Sequence, residues 1–245
     1  MINVISSEIY KIFRSKIFYA ISILLFIMNV FNSGMTIYKG PCGNEVINGL
    51  SEYQISYRQD FIFYVILTFI CCLITSEYLN GSIKQLASHG IKRWKIVVGR
   101  FVSMSLIITL IWVIVGVINL FVVGIKYGLG HASLSSIIYM NIGLFCMIVG
   151  VSGVGTLISY LFKNSAISIG ISFLLVMSKN LISSLLAAVT KNDVFMNFSI
   201  SNMRNIIINL NSNSGDVLKC SIVFLSLGII SVVMSSILFS VRDIN

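Results

Sequence analysis

Residues 101–125 read FVSMSLIITLIWVIVGVINLFVVGI and contain no charged side chain. A helix needs about 20 apolar residues to cross a hydrocarbon core about 30 Å thick, so this run is long enough to span a membrane. The composition agrees, since 57% of the 245 residues are hydrophobic and 10% are charged, whereas about 25% of residues in soluble domains are charged. The sequence therefore predicts an all-α integral membrane protein.

Similar uncharged runs lie on both sides of this stretch and predict six transmembrane helices within one transmembrane domain over residues 1–245. The predicted spans are 17–37, 60–78, 101–125, 136–161, 166–188 and 219–240. The second span is short, because Asp60 and Glu77 bound it closely, and the fifth is interrupted by Lys179. The single proline, Pro41, falls in a loop, so we expect no proline kink in any span.

The chain begins with an amphipathic segment at residues 1–16. Isoleucines recur at helical spacing, and four charged residues occupy other positions around the turn. These charged residues are Glu8, Lys11, Arg14 and Lys16. The pattern predicts a helix lying in the membrane interface before the first span; a solvated helical start is the alternative.

The distribution of Lys and Arg predicts the orientation of the chain. With the N-terminus inside, the inner segments carry ten of these residues and the outer segments six. Because cytoplasmic loops carry the excess of Lys and Arg, both termini are predicted to be cytosolic. The net charge of +9 mostly reflects this bias, and the sequence offers no soluble basic domain for binding nucleic acid.

Polar and small residues inside the spans have a structural and a functional interpretation. Asn119 and Asn141 are expected to form hydrogen bonds between helices. Lys179 either extends its side chain to the interface or faces the bundle interior or a partner. Glycines and Ser152 in the fourth span favour close helix packing, and a substrate path is the alternative.

The sequence lacks the common catalytic and metal-binding motifs. It contains no G-x-x-x-x-G-K-[ST], H-E-x-x-H or C-x-x-C, and its five cysteines form no recognisable framework. Residues 150–153 match the G-x-S-G of rhomboid proteases, but no histidine follows His131 to act as base for Ser152. We therefore expect neither an enzyme nor a resident cofactor or metal in this chain.

A basic segment, EYLNGSIKQLASHGIKRWKIVVGR at residues 77–100, separates the second and third spans. Residues 82–88 are predicted to form a short helix with Gly90 beyond its end, and Ile83 and Leu86 lie on one face of it. Glu77 is expected to pair with a basic residue of this segment or of the N-terminal helix. Residues 92–100 are predicted to anchor the third span at the lipid headgroups.

Two stretches resemble the ABC-2 type permeases, which are membrane subunits of ATP-binding cassette exporters. The opening, Ser7-Glu8 with Lys11 and Arg14-Ser15-Lys16, is similar to that of permeases in the bacitracin-resistance and lantibiotic-immunity branch. The second stretch has an acid at the end of the second span, a Gly-Ser pair, a basic residue and a short helix. Its matching residues are Glu77, Gly81, Ser82, Lys84, Leu86, Ser88, Gly90 and Arg93. Thr is commoner than Ser82, and Lys is commoner than Arg100, in such permeases.

The resemblance implies a role for these residues in contacting an ATPase. Together with Ile83, the second stretch would form a cytosolic coupling helix. The chain would work with two ATPase subunits, which carry ATP and Mg, and with a second permease that is identical or related to it. The implied cargo is a hydrophobic or amphipathic, membrane-active peptide, exported as a product or expelled for self-protection. We expect a multi-pass protein of a bacterial plasma membrane.

The rival hypothesis is a membrane protein that does not transport. Such a protein would be an immunity factor or sensor that binds its ligand without an ATPase.

Overall fold

The computed structural model describes residues 2–40, 47–81, 92–178, 180, 184, 188–189 and 199–241. These residues form helices joined by short turns. The helices are α1 (Ile2–Arg14), α2 (Lys16–Lys39), α3 (Gly49–Arg58), α4 (Phe61–Leu79), α5 (Arg93–Tyr127), α6 (Leu134–Phe162), α7 (Ser165–Met177), α8 (Ile200–Ile208) and α9 (Ser214–Val241).

Five helices in the described part of the chain are long and apolar enough to cross a membrane. They are α2, α4, α5, α6 and α9, and they correspond to the first, second, third, fourth and sixth predicted spans. Helix α7 lies within the fifth predicted span but has 13 residues. At about 1.5 Å per residue it extends about 20 Å, less than the thickness of the hydrocarbon core. A full fifth span over 166–188 remains a prediction.

The long helices pack antiparallel in a bundle with two distinct ends. We call the end that carries α1 the proximal end and the opposite end the distal end. Helix α5 is the longest, with 35 residues, and its length of about 52 Å exceeds the hydrocarbon core. It begins at Arg93, eight positions before the predicted start of the span, so residues 93–100 are part of this helix.

Residues 39–59 link the first two predicted spans, and their Gly and Pro residues indicate a loop, but helix α3 lies within them at the distal end. Helix α3 begins with a capping box, in which Asn48 accepts from the Ser51 amide at 2.7 Å and Ser51 accepts from the Asn48 amide at 2.9 Å. Its buried face packs along α5, where the Tyr57 hydroxyl donates to the Trp112 carbonyl at 3.0 Å. Burial of Tyr53 and Tyr57 stabilises a segment whose own sequence is not strongly apolar.

Helix α8 also covers the distal end of the bundle. Its Met203 and Ile207 are buried against the protein. The Arg204 guanidinium pairs with the Asp60 carboxylate at 2.7 Å and lies over the Phe63 ring at 5.3 Å. Helix α8 is thereby attached to the start of α4.

The small residues of the fourth span are explained by close packing. A Cβ atom added to Gly150 would lie 2.6 Å from the Phe224 carbonyl oxygen, and one added to Gly153 would lie 2.7 Å from the Gly228 Cα. Helices α6 and α9 therefore approach closely along this face. Ser152 is fully buried and donates to the Val149 carbonyl at 2.9 Å, as expected of a packed helix residue.

Candidate functional site

A buried arginine at the proximal end brings four helices together. Arg100 of α5 is 0% exposed and pairs with Glu77 at the end of α4. Its Nε lies 3.4 Å from Oε2 of Glu8 on α1, and its Nη1 donates to the Tyr160 hydroxyl of α6 at 3.4 Å. We call Glu8, Glu77, Arg100 and Tyr160 the Arg100 cluster.

The charges of this cluster and its immediate neighbour are balanced. Lys11 pairs with Oε1 of Glu8 at 2.9 Å, so two cations face two carboxylates. A charged residue at this depth is costly unless it is paired, and removal of one member of a buried pair costs about 3–5 kcal/mol. Removal of any charged member should therefore destabilise this end of the bundle.

This arrangement corrects the predicted headgroup anchor at residues 92–100 for one member, Arg100. Arg100 does not extend towards lipid headgroups, because its guanidinium is buried between two carboxylates. The expected pairing of Glu77 with a basic residue of the 77–100 segment is confirmed. Glu8 does not lie on a solvated face of α1, because only 2% of its side chain is exposed.

Helix α1 is fixed on the start of α5 by more than the ion pair. The Ser103 hydroxyl contacts the Ile5 carbonyl at 3.3 Å, and a Cβ added to Gly99 would lie 2.8 Å from the Val4 side chain. Tyr10 and Phe13 remain 65% and 48% exposed on another side of this helix. These aromatic side chains suit the interfacial location predicted for α1.

The last helix joins the same end of the bundle through Arg93. Its Nη1 donates to the Ser240 carbonyl at 3.1 Å and lies 3.4 Å from the Phe239 carbonyl. A cation at the C-terminus of a helix is favoured by the helix dipole. The Phe239 ring also packs on Tyr160 at 5.3 Å between centroids. Helix α9 thus contacts both Arg93 and the Arg100 cluster.

The Arg100 cluster lies where the connection between α4 and α5 leaves the helix bundle, since it joins the end of α4 to the start of α5. Gly81 follows α4 with φ of +67°, a left-handed conformation that favours glycine, and its amide donates to the Tyr78 carbonyl at 3.3 Å. The predicted coupling helix lies outside the described residues. The members that fall outside are Ser82, Ile83, Lys84, Leu86, Ser88 and Gly90.

The remaining predicted residues lie away from the Arg100 cluster. Arg14 is exposed and donates to the Tyr10 hydroxyl at 3.4 Å, and Lys16 is exposed at the start of α2. Asn141 accepts from the Tyr53 hydroxyl at 2.7 Å, and Asn119 bonds to residues of α2 and α3. The predicted hydrogen bonds between helices are therefore confirmed for both asparagines. Lys179 lies outside the described residues.

Arg100 and Tyr160 were not predicted as members of a site. One signal was present for Arg100, since only three acids lie on the predicted inner side and two of them are Glu8 and Glu77. An acid near a span end is stabilised by a nearby cation, and Arg100 is the basic residue closest to the third span on the predicted inner side. Tyr160 carries no such signal, because its role depends on how α6 packs.

The similarity of this chain to a known protein family covers these same residues. A search of curated proteins gives no match. The family model described as ABC-2 family transporter protein matches residues 4–180, a range that includes most of α1, the connection between α4 and α5, and the whole Arg100 cluster. The chain therefore belongs to the ABC-2 family of transporter proteins, as a multi-pass membrane subunit of an ATP-binding cassette transporter.

Proposed function

We propose that this chain is the permease of an ATP-binding cassette exporter and that the Arg100 cluster passes ATPase movement to the spans. One observation carries the proposal. Arg100 binds the helix before the 82–91 segment, through Glu77, and the N-terminal helix, through Glu8. The segment proposed to meet the ATPase therefore starts and ends on helices that are held together.

The mechanism follows from how the cluster is connected. ATP binding closes the ATPase subunits, which displace the segment between Gly81 and Lys92. Because Glu77 and Arg100 are paired, α4 and α5 move as one unit, and Glu8 carries α1 with them. Tyr160 and Phe239 extend the contact to α6 and α9. ATP and Mg belong to the partner subunit, and this chain supplies the mechanical link.

The exported cargo is proposed to be a membrane-active peptide, in line with the branch that the sequence resembles. Helices α6 and α9 pack through glycines with their backbones in contact, which disfavours a wide water-filled channel through one chain. The cargo would instead enter from the lipid and leave between two permeases. Large exposed side chains on α2, such as Phe26 and Phe31, give this helix a strongly apolar surface.

The proposed assembly contains two permeases and two ATPase subunits. The proximal end faces the cytosol, because the excess of Lys and Arg lies on that side and because α1 carries exposed aromatic residues suited to the inner interface. The second permease is a copy of this chain or a related one. The membrane is the plasma membrane of a bacterium.

Co-purification with the ATPase tests the docking part of the proposal. The double variant Ile83→Asp and Leu86→Asp places two charges on the face that is proposed to enter the ATPase groove. We expect it to lose the ATPase from the purified complex while the permease itself still inserts in the membrane. Leu129→Asp is the matched control, since Leu129 is 52% exposed at the distal end, and it should retain the ATPase.

The same experiment separates the rival hypothesis of an immunity factor or sensor that acts without an ATPase. If the tagged wild-type chain never retains an ATPase, and the double variant still protects cells from the peptide, the exporter proposal is wrong. Protection that depends on both the ATPase and an intact 83–86 face supports it. The cell that carries this permease either exports the peptide as its own product or expels it for self-protection. These alternatives are then distinguished by testing whether that cell makes the peptide.

A further inference from the structure

A second buried polar cluster lies at the distal end, away from Arg100. Asn119 of α5 donates through Nδ2 to Oδ1 of Asn29 at 3.0 Å and to Oγ of Ser56 at 2.8 Å. It accepts from the Ser33 hydroxyl at 2.7 Å. These contacts join α2, α3 and α5, and all four side chains are buried.

Glu52 of α3 lies beside these residues with an incomplete set of partners. It is 2% exposed, and its Oε1 is 3.5 Å from Oγ1 of Thr36 on α2. Its Oε2 is buried and has no hydrogen-bond partner among the described residues. No cation in the described part of the chain forms an ion pair with it. A carboxylate in such a place would lack compensation for its lost hydration.

The contact with Thr36 gives the Glu52 side chain little compensation for its burial. The Thr36 hydroxyl has one hydrogen, and its shorter contact is with the Asn32 carbonyl at 3.1 Å. Its donation to Oε1 of Glu52, at 3.5 Å, is therefore the weaker of the two hydrogen bonds. A neutral carboxyl group loses less hydration on burial than a carboxylate does, so the neutral form fits this site better. The Ser56 hydroxyl does not donate to the Glu52 side chain, because it donates to the backbone carbonyl of Glu52 at 2.9 Å.

Other charged and titratable groups around α3 are exposed or have partners of their own. These groups are Tyr38 on α2; Tyr53, Tyr57 and Arg58 on α3; Lys126 and Tyr127 on α5; His131 after α5; and Arg204 on α8. Lys126 and Tyr127 both donate to the Ile37 carbonyl at 3.3 Å, and Arg204 pairs with Asp60. The Lys39 side chain, also on α2, lies outside the described residues.

We propose that Glu52 is a proton-binding site that holds α3 on the bundle when its carboxyl group is neutral. Its ligand is a proton from the solution on the distal side. When α3 separates from α2 and α5, water reaches the carboxyl group, the proton passes to water or a buffer base, and the carboxylate is hydrated. The packing of α3 is thereby linked to the pH on the distal side.

The direction of the pH effect follows from the burial of the group. Desolvation raises the pKa of Glu52, and the hydrogen bond with Thr36 offsets part of this rise. A carboxyl group whose pKa is raised in the folded state contributes stability at low pH, and this contribution is lost as the pH rises through the folded-state pKa. Acid therefore favours packed α3, and base favours its release.

Infrared titration of the full-length purified chain tests the proposal directly. With ¹³C-labelled glutamate, we expect the carbonyl band of one neutral carboxyl group to persist to higher pH than the bands of the other glutamates. This persistent band should be absent from labelled Glu52→Asp, which keeps a carboxyl group but loses the label. Loss of all the bands over the same pH range, or a persistent band that survives in Glu52→Asp, would overturn the proposal.

Thermal unfolding across pH gives a second, independent measurement. As the pH rises from about 4, the usual carboxyl pKa, the wild-type midpoint temperature should fall more than that of Glu52→Gln, which is neutral at every pH. The matched control is Asp216→Asn, since Asp216 is an exposed distal acid paired with Lys219, and it should follow the wild type. Parallel curves for wild type and Glu52→Gln would contradict the proposal.

Discussion

The guanidinium of Arg100 and the carboxylate of Glu77 form an ion pair across the two ends of the connection between α4 and α5. Arg100 is completely buried, and 17% of the Glu77 side chain is exposed. Glu8 contacts the same guanidinium from α1. Ion pairs therefore connect α1, α4 and α5 at the point where the proposed coupling segment meets the helix bundle.

Arg100 and Glu77 should contribute unequally to the stability of the folded chain. Arg100→Gln leaves Glu8 and Glu77 without their shared cation and should cost about 3–5 kcal/mol. Glu77→Gln should cost less, because Arg100 keeps Glu8 and because Glu77 is partly exposed. Unfolding in detergent measures both, and the double variant should be less destabilised than the sum of the two.

The non-additive part should amount to about 0.5–3 kcal/mol, as expected for residues in direct contact. Lys92→Gln is the matched control, since Lys92 is exposed just before the same helix, and it should change stability little. Strictly additive effects of Glu77→Gln and Arg100→Gln would mean that the two groups do not interact in the folded protein.

Arg93 should hold the end of the last helix. Arg93→Met removes the donor to the Ser240 and Phe239 carbonyls, and the loss should cost about 1 kcal/mol or less, as for other cations at helix C-termini. The change in hydrogen exchange near the end of α9 should be larger than the change in the free energy of unfolding. Hydrogen exchange of residues 236–241 should accelerate, while exchange in α6 stays unchanged; equal protection in both proteins would argue against this contact.

Alanine should have different effects at a glycine in the contact between α6 and α9 and at a glycine outside it. Gly153→Ala places a Cβ 2.7 Å from the Gly228 Cα and should destabilise the bundle. Gly170→Ala on α7 meets no atom within 4 Å, so it should be neutral or stabilising by up to about 1 kcal/mol through helix propensity. Thermal unfolding of the two variants measures the difference, and equal effects would contradict the packing.

The spans were predictable because each depends on a long run of apolar residues. Helix α4 begins one residue after the predicted start and α2 one residue before it. The start of α5 was not predictable by the same criterion, since residues 93–100 contain Lys95 and Arg100. The partners that neutralise Arg100 are Glu8 and Glu77, which come from other helices.

Helix α3 shows a second limit of local patterns. Its ten residues include Glu52, Gln54 and Arg58, and the preceding Gly and Pro residues indicate a loop. The segment is helical because its capping box and its tyrosines meet α5. Glu77 was predicted from its match to the motif of the resembling family. Its buried partner, Arg100, was found only through the packing of the helices.

Nucleotide trapping with spin labels tests the transmission of movement most directly. Labels at Tyr38→Cys and Leu134→Cys, both exposed at the distal end, are introduced after replacement of the five native cysteines. The permease with its ATPase should show a change in the distance between labels when ATP and vanadate are added. With Glu77→Gln, the ATPase should still co-purify, but the distance should not change. An identical distance change in the Glu77→Gln complex and the wild type would contradict the role of the Arg100 cluster.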